Sequence, residues 1–504
     1  MTSKTIQHYV DLRAAEQPDA IYLSAPETGA VMTYRELQRA SRELAHFLGG
    51  RRLAKGAKVA LMLENAYQTA RLLIGTMYAG YTVVPLNLLS QGTQLEYVLD
   101  HSDTELVFTS NALETRLREA LRNASRGIEV VVIDPDATQI FDTAAVATPA
   151  PAPAAECDDA LLMYTSGTTG RPKGVLHSHR SVVAGGEYTS RAHHLTAGDR
   201  VICALPLYHI NGQIVTAVAP LIHGGSVVMP HRFSVSSYWQ TIAEHRCTWM
   251  NVVPTIIAYL LNAPGPREHG VDVSRVKFCR SASAPLPPEL HRAFEERFGI
   301  GIIETFGMTE TNAPCFTNPY ERSRRKIGSP GPAFGNEAKV IDTATGATQP
   351  ANVPGEIMVR GDNVMTCYYK DPENTARTIE RDGWMHTGDL GYLDEDGFLF
   401  VTGRLKELII KGGENIAPRE IDEALLRHPA ILEAAAVGVP DAIYGQEIMA
   451  CVVLKPGSAC AIEELLRFAE SELGRYKRPK TIRILDALPK GPSGKVQRLK
   501  LLEL

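Results

Sequence analysis

The chain is 504 residues long, 44% apolar and 22% charged, a length that allows several domains and a composition that excludes disorder and fibrous structure. Fifty-two Lys and Arg against 57 Asp and Glu leave a net charge of −5, so no basic excess points to nucleic acid or an acidic lipid surface. The opening MTSKTIQHYVDLRAAEQPDA is broken by charge before any apolar run begins, and no stretch holds the ~18 uninterrupted apolar residues of a membrane span, so neither export nor a span is expected.

In chain order, Thr33-Tyr34-Arg35-Glu36 has the spacing of a capping box, and Leu37, Ala40, Leu44, Phe47 and Leu48 follow at helical spacing. Residues 58–63 (KVALML) read as a buried strand, 66–79 as a helix ended by Gly80, and 81–85 (YTVVP) as the next strand. Further strands are expected at 105–109 and 129–133. Strands separated by helices in this way predict parallel βαβ units and an α/β fold. Residues 144–155 (AAVATPAPAPAA) form a Pro/Ala connection unsuited to helix or sheet. A second composition change follows Gly403-Arg404-Leu405-Lys406, which divides the chain into a large domain, 1–403, and a small α+β domain, 404–504. In the latter, 434–439 and 448–454 are strand-like about a Pro/Gly loop, and 461–473 is helix-like. The eight cysteines never lie closer than nine residues apart, which excludes CxxC knuckles and redox pairs and predicts reduced thiols in a cytoplasmic protein.

The densest chemical signal is Tyr164 to Gly174, YTSGTTGRPKG. Hydroxyls at Thr165, Ser166, Thr168 and Thr169 surround Gly167 and Gly170, with Arg171 and Lys173 behind them. Glycines let backbone N–H groups converge on an anion, hydroxyls add donors and Lys adds charge, so the loop suits phosphate. It is not a Walker A loop, because Pro172 stands five residues after Gly167 where that pattern requires Gly-Lys-Ser/Thr. A flexible Gly/Ser/Thr loop is the plain alternative, and eleven residues of this density weigh against it. Further along, Phe306 in ETFGMTE offers a ring to stack on a purine, Thr309 a hydroxyl for phosphate, and Glu310 a hard oxygen ligand for Mg²⁺. Asp389 in TGDLG suits the two hydroxyls of a ribose, and Arg404, fifteen residues on, adds a donor.

The phosphate loop resembles the signature of the adenylate-forming superfamily: acyl-CoA synthetases, peptide-synthetase adenylation domains and firefly luciferase. The other family motifs stand in family order: ALPLYHINGQ, SASAP, ETFGMTE, GEIMVRG, HTGDLG, GRLKELIIKGGENIAP and GPSGKVQR. The resemblance implies a large N-terminal domain of βαβ subdomains and a small mobile C-terminal domain. It implies ATP or AMP binding by Thr165, Ser166, Gly167, Thr168, Thr169, Gly170, Lys173, Ser283, Ala284, Pro285, Glu304, Thr305, Phe306, Asp389 and Arg404. Glu310 would be the metal ligand and Lys406 the hinge, the latter otherwise readable as a surface lysine paired with Glu407. Thr309, His209 and Lys495 are implied as catalytic, Lys495 holding the acyl carboxylate and the α-phosphate together. Lys411, Gly412, Gly413 and Glu414 are implied at the CoA thiol. The family usually has Tyr where this chain has Phe306, which keeps the ring face and loses a hydroxyl.

The reaction implied is that of an AMP-forming acyl-CoA synthetase using ATP, Mg²⁺ and coenzyme A. The segment 205–213 lacks the Asp with which amino-acid-activating relatives pair the substrate amine, so an amino acid is disfavoured. His209, Asn211, Gln213 and Arg292 offer a polar acyl pocket. The stretch 281–298 is similar to the malonyl-CoA synthetase branch, in which an Arg at the place of Arg292 grips a second anionic group. A small polar or anionic acid, malonate-like or sulfoacetate-like, is therefore expected. A carrier-protein-loading acyl-AMP ligase, a medium-chain or aromatic acid ligase and a non-catalytic nucleotide-binding module remain as alternatives, and a homodimer is left open.

Overall fold

The computed structural model describes residues 5–51, 53–90, 92–122, 124–141, 152–165, 171–490 and 496–504. The expected connection at 144–155 thus lies largely outside the described residues, as do residues 166–170 of the phosphate loop and Lys495.

The capping box forms as its residues dictate. The Thr33 hydroxyl accepts from the Glu36 backbone N–H at 3.2 Å, and the Glu36 carboxylate accepts from the Thr33 N–H at 2.8 Å, opening the helix Tyr34–Gly49. Leu37, Ala40, Leu44 and Leu48 on its inner face are buried. The predicted strand Glu129–Ile133 appears with the expected bounds, and the helix expected over 66–79 is Tyr67–Tyr78.

These units assemble into two sheets whose centres are parallel. In the first, Asp159–Thr165, Thr82–Pro85, Lys58–Met62, Thr104–Ser110 and Glu129–Ile133 run parallel in that order, and Lys173–Ser178 and Cys367–Tyr368 add antiparallel strands at one edge. In the second, Ile302–Met308, Phe278–Ser281, Trp249–Val252, Arg200–Cys203, Ser226–Val228 and Ile21–Ser24 run parallel, flanked by antiparallel Ala313–Thr317 and Val31–Thr33. Apolar side chains from both, including Leu61, Phe108, Val201 and Trp249, share one core. A third, antiparallel sheet contains Gly355–Arg360, Met385–Leu393 and Phe398–Arg404.

The last sheet is built entirely after residue 408. The strands Ile431–Asp441 and Gly445–Leu454 form a hairpin, and the free edge of the second strand pairs with Ile409–Lys411 at its start and, in parallel, with Thr481–Ile484 farther along. Helices Pro418–Leu426 and Ile462–Lys477 cover it, burying Ile421, Leu425, Leu465 and Ala469 in a core of their own. This is the α+β pattern expected of the C-terminal segment.

Candidate active site

Several of the expected site residues, Thr165, Glu304 and Thr305 among them, lie at or near the ends of parallel strands, the usual place for a ligand in an α/β sheet. Thr165 closes the strand Asp159–Thr165 directly opposite Lys173, so these two residues frame the loop between them. The Lys173 ammonium lies 4.7 Å from the centre of the Tyr368 ring, and the Tyr368 hydroxyl donates to Glu310 Oε1 at 2.9 Å. Tyr368 thereby links the phosphate-loop lysine to the carboxylate expected to face the metal, a connection no local motif announced.

Thr309 and Glu310 occupy the 3₁₀ turn Thr309–Thr311, which is braced from beneath. His177 is completely buried, and burial pushes its pKa down to about 3, so the ring is neutral. Its Nε2 lies 2.8 Å from the Thr309 carbonyl oxygen, and its Nδ1 lies 2.7 Å from the Asn312 amide nitrogen. The two contacts agree on one tautomer, with Nε2–H donating to Thr309 and Nδ1 accepting from Asn312. Asn312, at φ +48°, also donates to Ser181 Oγ at 3.0 Å. Met365 N–H donates to the Glu310 carbonyl at 2.8 Å, which fixes the turn from its other side. Glu310 is nearly buried and makes no ion pair among the described residues.

At the neighbouring strand ends, several buried polar atoms lack a hydrogen-bond partner among the described residues. They are Ser281 Oγ, Glu304 Oε2, Thr305 Oγ1 and Arg280 Nε, on the adjacent strands Phe278–Ser281 and Ile302–Met308. Side chains alternate along a strand, so Ser281 and Glu304 share one face of the sheet and Arg280 and Thr305 the other; buried polar groups are normally satisfied, and each face therefore offers open polar atoms to a ligand. The Glu304 pKa is raised by burial, and its Oε1 accepts from Leu286 N–H at 3.2 Å. Ser283 takes a left-handed φ of +72°, and its hydroxyl accepts from Asn211 Nδ2 at 3.0 Å; Ala284 is half-buried and Pro285 exposed beside it. Phe306 is half-buried and stands edge-on to Phe316 at 5.9 Å.

Asp389 and Arg404, fifteen residues apart, are directly opposed in the antiparallel pair of strands, and Arg404 Nε donates to Asp389 Oδ1 at 2.8 Å. The Asp389 charge is the leading cause of a raised Arg404 pKa. Asp389 Oδ2 accepts from no described residue, which leaves one oxygen of an anchored carboxylate for a diol.

His209 is half-buried and edge-on to Tyr208 at 4.8 Å, two residues before Asn211. Asn65 holds this segment in place, donating to the Leu205 carbonyl at 2.9 Å and accepting from Leu207 N–H at 2.8 Å. The Gln213 amide donates to the Leu207 carbonyl and is buried. Arg292 does not join these residues. On the helix Pro288–Phe298 it is His291 and Phe294 that turn inward, whereas the Arg292 side chain is 56% exposed and pairs with Glu289 at 2.9 Å. The expectation that Arg292 lines the acyl pocket is therefore corrected. The arginine beside Asn211 is Arg280, 2% exposed, whose Nη1 donates to Asn211 Oδ1 at 2.7 Å and Asn251 Oδ1 at 2.9 Å. The readable signal was an arginine directly after the apolar pair Phe278-Cys279 in the strand run FCRS.

Two further expectations change in detail. The Lys411 side chain is turned into the C-terminal sheet, where its ammonium meets Glu447 Oε1 and the Tyr476 carbonyl, each at 2.8 Å. It holds the hairpin rather than reaching outward, and the exposed part of that hairpin is Gly412, Gly413 and Glu414. Gly412 at φ +57° and Gly413 at φ +85° adopt the left-handed backbone that glycine tolerates best. Glu407 pairs with Arg498 at 3.2 Å instead of with Lys406, which is exposed in the turn Leu405–Glu407.

Two family models cover most of the chain: AMP-binding enzyme over residues 10–369 and AMP-binding enzyme C-terminal domain over 420–495. The chain belongs to the AMP-binding enzyme family. Among its relatives, a sulfoacetate–CoA ligase of Cupriavidus necator is 55% identical over 501 residues, covering 99% of this chain and 97% of that one. An oxalate–CoA ligase of Arabidopsis thaliana is 32% identical, with 99% and 98% covered. Of solved structures, ATP-bound MatB from Rhodopseudomonas palustris superposes with a TM-score of 0.90 at 29% identity, over 99% of this chain and 98% of that one. The o-succinylbenzoate CoA synthetase MenE of Bacillus subtilis, in complex with ATP and magnesium ion, gives 0.84 at 29% identity, with 98% of each chain covered. This AMP-binding enzyme is an AMP-forming acyl-CoA ligase of the adenylate-forming fold, and ATP and CoA are its substrates. No helix among the described residues is long and apolar enough to cross a membrane.

Proposed function

We propose that the chain converts a small carboxylic acid bearing a second anionic group, sulfoacetate before others, to its CoA thioester by way of the acyl adenylate. The observation that carries this reading is 55% identity to a sulfoacetate–CoA ligase over 99% of the chain. In the first step a carboxylate oxygen attacks the α-phosphorus of ATP and pyrophosphate leaves. In the second the CoA sulfur attacks the acyl carbon, the thiol proton passes to solvent, and AMP departs with the oxygen it gained. Splitting the condensation into two displacements makes each leaving group a good one.

The residues take roles that suit their surroundings. Thr165 and Lys173, with the loop they frame, hold phosphate; Asp389 and Arg404 hold the ribose; Phe306 stacks on the base. Mg²⁺ fits a site with one buried carboxylate, Glu310, and a neighbouring hydroxyl, Thr309, because this ion is commonly held by one or two carboxylates together with substrate phosphates. When bound it offsets phosphate charge. His209 and Asn211 border the acyl group, and Lys495 offsets the charge of carboxylate and phosphate as they meet.

The domain division falls at residues 403 and 404, with Lys406 as the pivot. Supporting this, the strand Phe398–Arg404 ends in one sheet and Ile409–Lys411 begins another, with only the turn Leu405–Glu407 and Leu408 between. Rotation there would present the Lys495 face for adenylation and the Gly412–Gly413 hairpin for CoA. Eight unpaired cysteines are consistent with a reducing, cytoplasmic setting.

Pyrophosphate release measured across sulfoacetate, malonate, oxalate, acetate, octanoate and benzoate, with and without CoA, tests the reading. The expected result is turnover concentrated on the doubly anionic acids and dependent on CoA. Preferred turnover of octanoate or benzoate, or full turnover without CoA, would contradict it.

A further inference from the structure

Arg280 is the least compensated charge of the acyl region. It lies on the strand Phe278–Ser281, fully enclosed between its neighbours Trp249–Val252 and Ile302–Met308, and is 2% exposed. No described carboxylate pairs with it. Its hydrogen-bond acceptors among the described residues are neutral: Nη1 donates to the side-chain oxygens of Asn211 and Asn251, while the buried Nε donates to no described residue. Burial alone draws its pKa down to about 9, so the guanidinium stays protonated at neutral pH. Nearby His193 is buried and neutral, its pKa lowered to about 3 by burial first and Arg280 second. An enclosed cation with no anion is strongly disfavoured unless one arrives from outside. Asn211, which shares a hydrogen bond with Arg280, also donates to Ser283 at the mouth of the nucleotide site.

We propose that Arg280 is the specificity-determining cation of the acyl site, favouring acids whose far end carries a second negative charge, a carboxylate or a sulfonate. The inference rests on the reading above that the substrate is a small doubly anionic acid. In the low-dielectric interior the charge acts over a longer range than in water, so the anion need only come up against the Arg280–Asn211 pair to be selected. Asn211 and Asn251 hold the guanidinium in position without neutralising it, which a carboxylate partner would do. This arrangement discriminates by charge at the end of the acid remote from the reacting carboxylate, and Arg280 meets the nucleotide side only indirectly, through Asn211 and Ser283.

The test compares sulfoacetate with methylsulfonylacetate, which has the same shape and an uncharged tail, in wild type, Arg280→Met, Arg280→Gln and Arg280→Lys. Thermal unfolding and the KM for ATP monitor folding and the nucleotide site. The ratio of kcat/KM for the two acids is expected to fall roughly 100-fold in the Met and Gln variants, the scale of a lost charge-assisted interaction, and to stay within about tenfold of wild type in Lys. The change should lie mostly in KM for sulfoacetate, with KM for ATP constant. An unchanged ratio in Met or Gln, or an equal loss on both acids, would overturn the role of Arg280 and leave the substrate reading standing. If Met does not fold, the Gln and Lys variants decide the matter by the same ratio. A wild-type preference for methylsulfonylacetate would instead overturn the substrate reading itself.

Discussion

Lys495→Ala is expected to slow adenylation by about 10²–10³-fold while leaving thioester formation from preformed acyl-AMP nearly intact. The substrate carboxylate and the α-phosphate are both anionic, and bringing them together in a site shielded from water needs a positive charge held in place. Thiol attack on the acyl adenylate meets no such repulsion, and the rotation proposed about Lys406 would take the lysine out of the site. Pyrophosphate release from ATP and acid measures the first step, and acyl-CoA formed from synthetic acyl-AMP and CoA measures the second. Near-wild-type adenylation would remove Lys495 from the mechanism, and equal loss of both steps would contradict a site that rearranges between them.

Gly185→Ala is expected to lower both stability and adenylation, although Gly to Ala in the middle of a helix ordinarily stabilises by about 1 kcal/mol. Gly185 lies within the helix His179–Ala192, where a Cβ would collide with the Asn312 carbonyl oxygen and approach Ile214 Cγ2 to 2.8 Å. Asn312 ends the turn that carries Thr309 and Glu310, and Ile214 follows Asn211 in the segment Asn211–Val218. A single methyl therefore pushes on the phosphate and acyl sides of the site together. Overpacking of this kind costs about 1–3 kcal/mol, and displacement of the turn should reduce pyrophosphate release at least tenfold. Gly49→Ala, at the end of Tyr34–Gly49 with nothing within 4 Å of the new Cβ, is the matched control and should be neutral or slightly stabilising. A Gly185→Ala protein with wild-type melting temperature and rate would contradict the tight brace described for Thr309 and Glu310.

What could be read along the chain was whatever local chemistry decides. The Thr33 capping box and the strand Glu129–Ile133 depend on short spacings, and they formed as expected, whereas the direct pairing of Asp389 with Arg404 across a hairpin was not announced by either motif. The amphipathic helix carrying Arg292 was also legible, but periodicity alone does not say which side of Pro288–Phe298 meets the core. His291 and Phe294 took that side, and Arg292 went to solvent. The brace under Thr309 was invisible because His177 and Thr309 lie 132 residues apart and meet only through the fold. Arg280 was overlooked for a related reason: a charge in a strand reads as an edge or surface residue until neighbouring strands enclose it on both sides. Lys411 shows the converse, since its motif resembles a loop at the thiol while its own ammonium is claimed by Glu447 and Tyr476.

The acyl-adenylate route makes one direct claim about atoms. An oxygen of the acid becomes bonded to the α-phosphorus in the first displacement and leaves with AMP in the second. Turnover of sulfoacetate labelled with ¹⁸O in its carboxylate, with ATP and CoA, followed by mass spectrometry of the products, tests this. One ¹⁸O is expected in the phosphate of AMP and none in pyrophosphate. Label in inorganic phosphate or pyrophosphate, or AMP formed without label alongside the thioester, would contradict it.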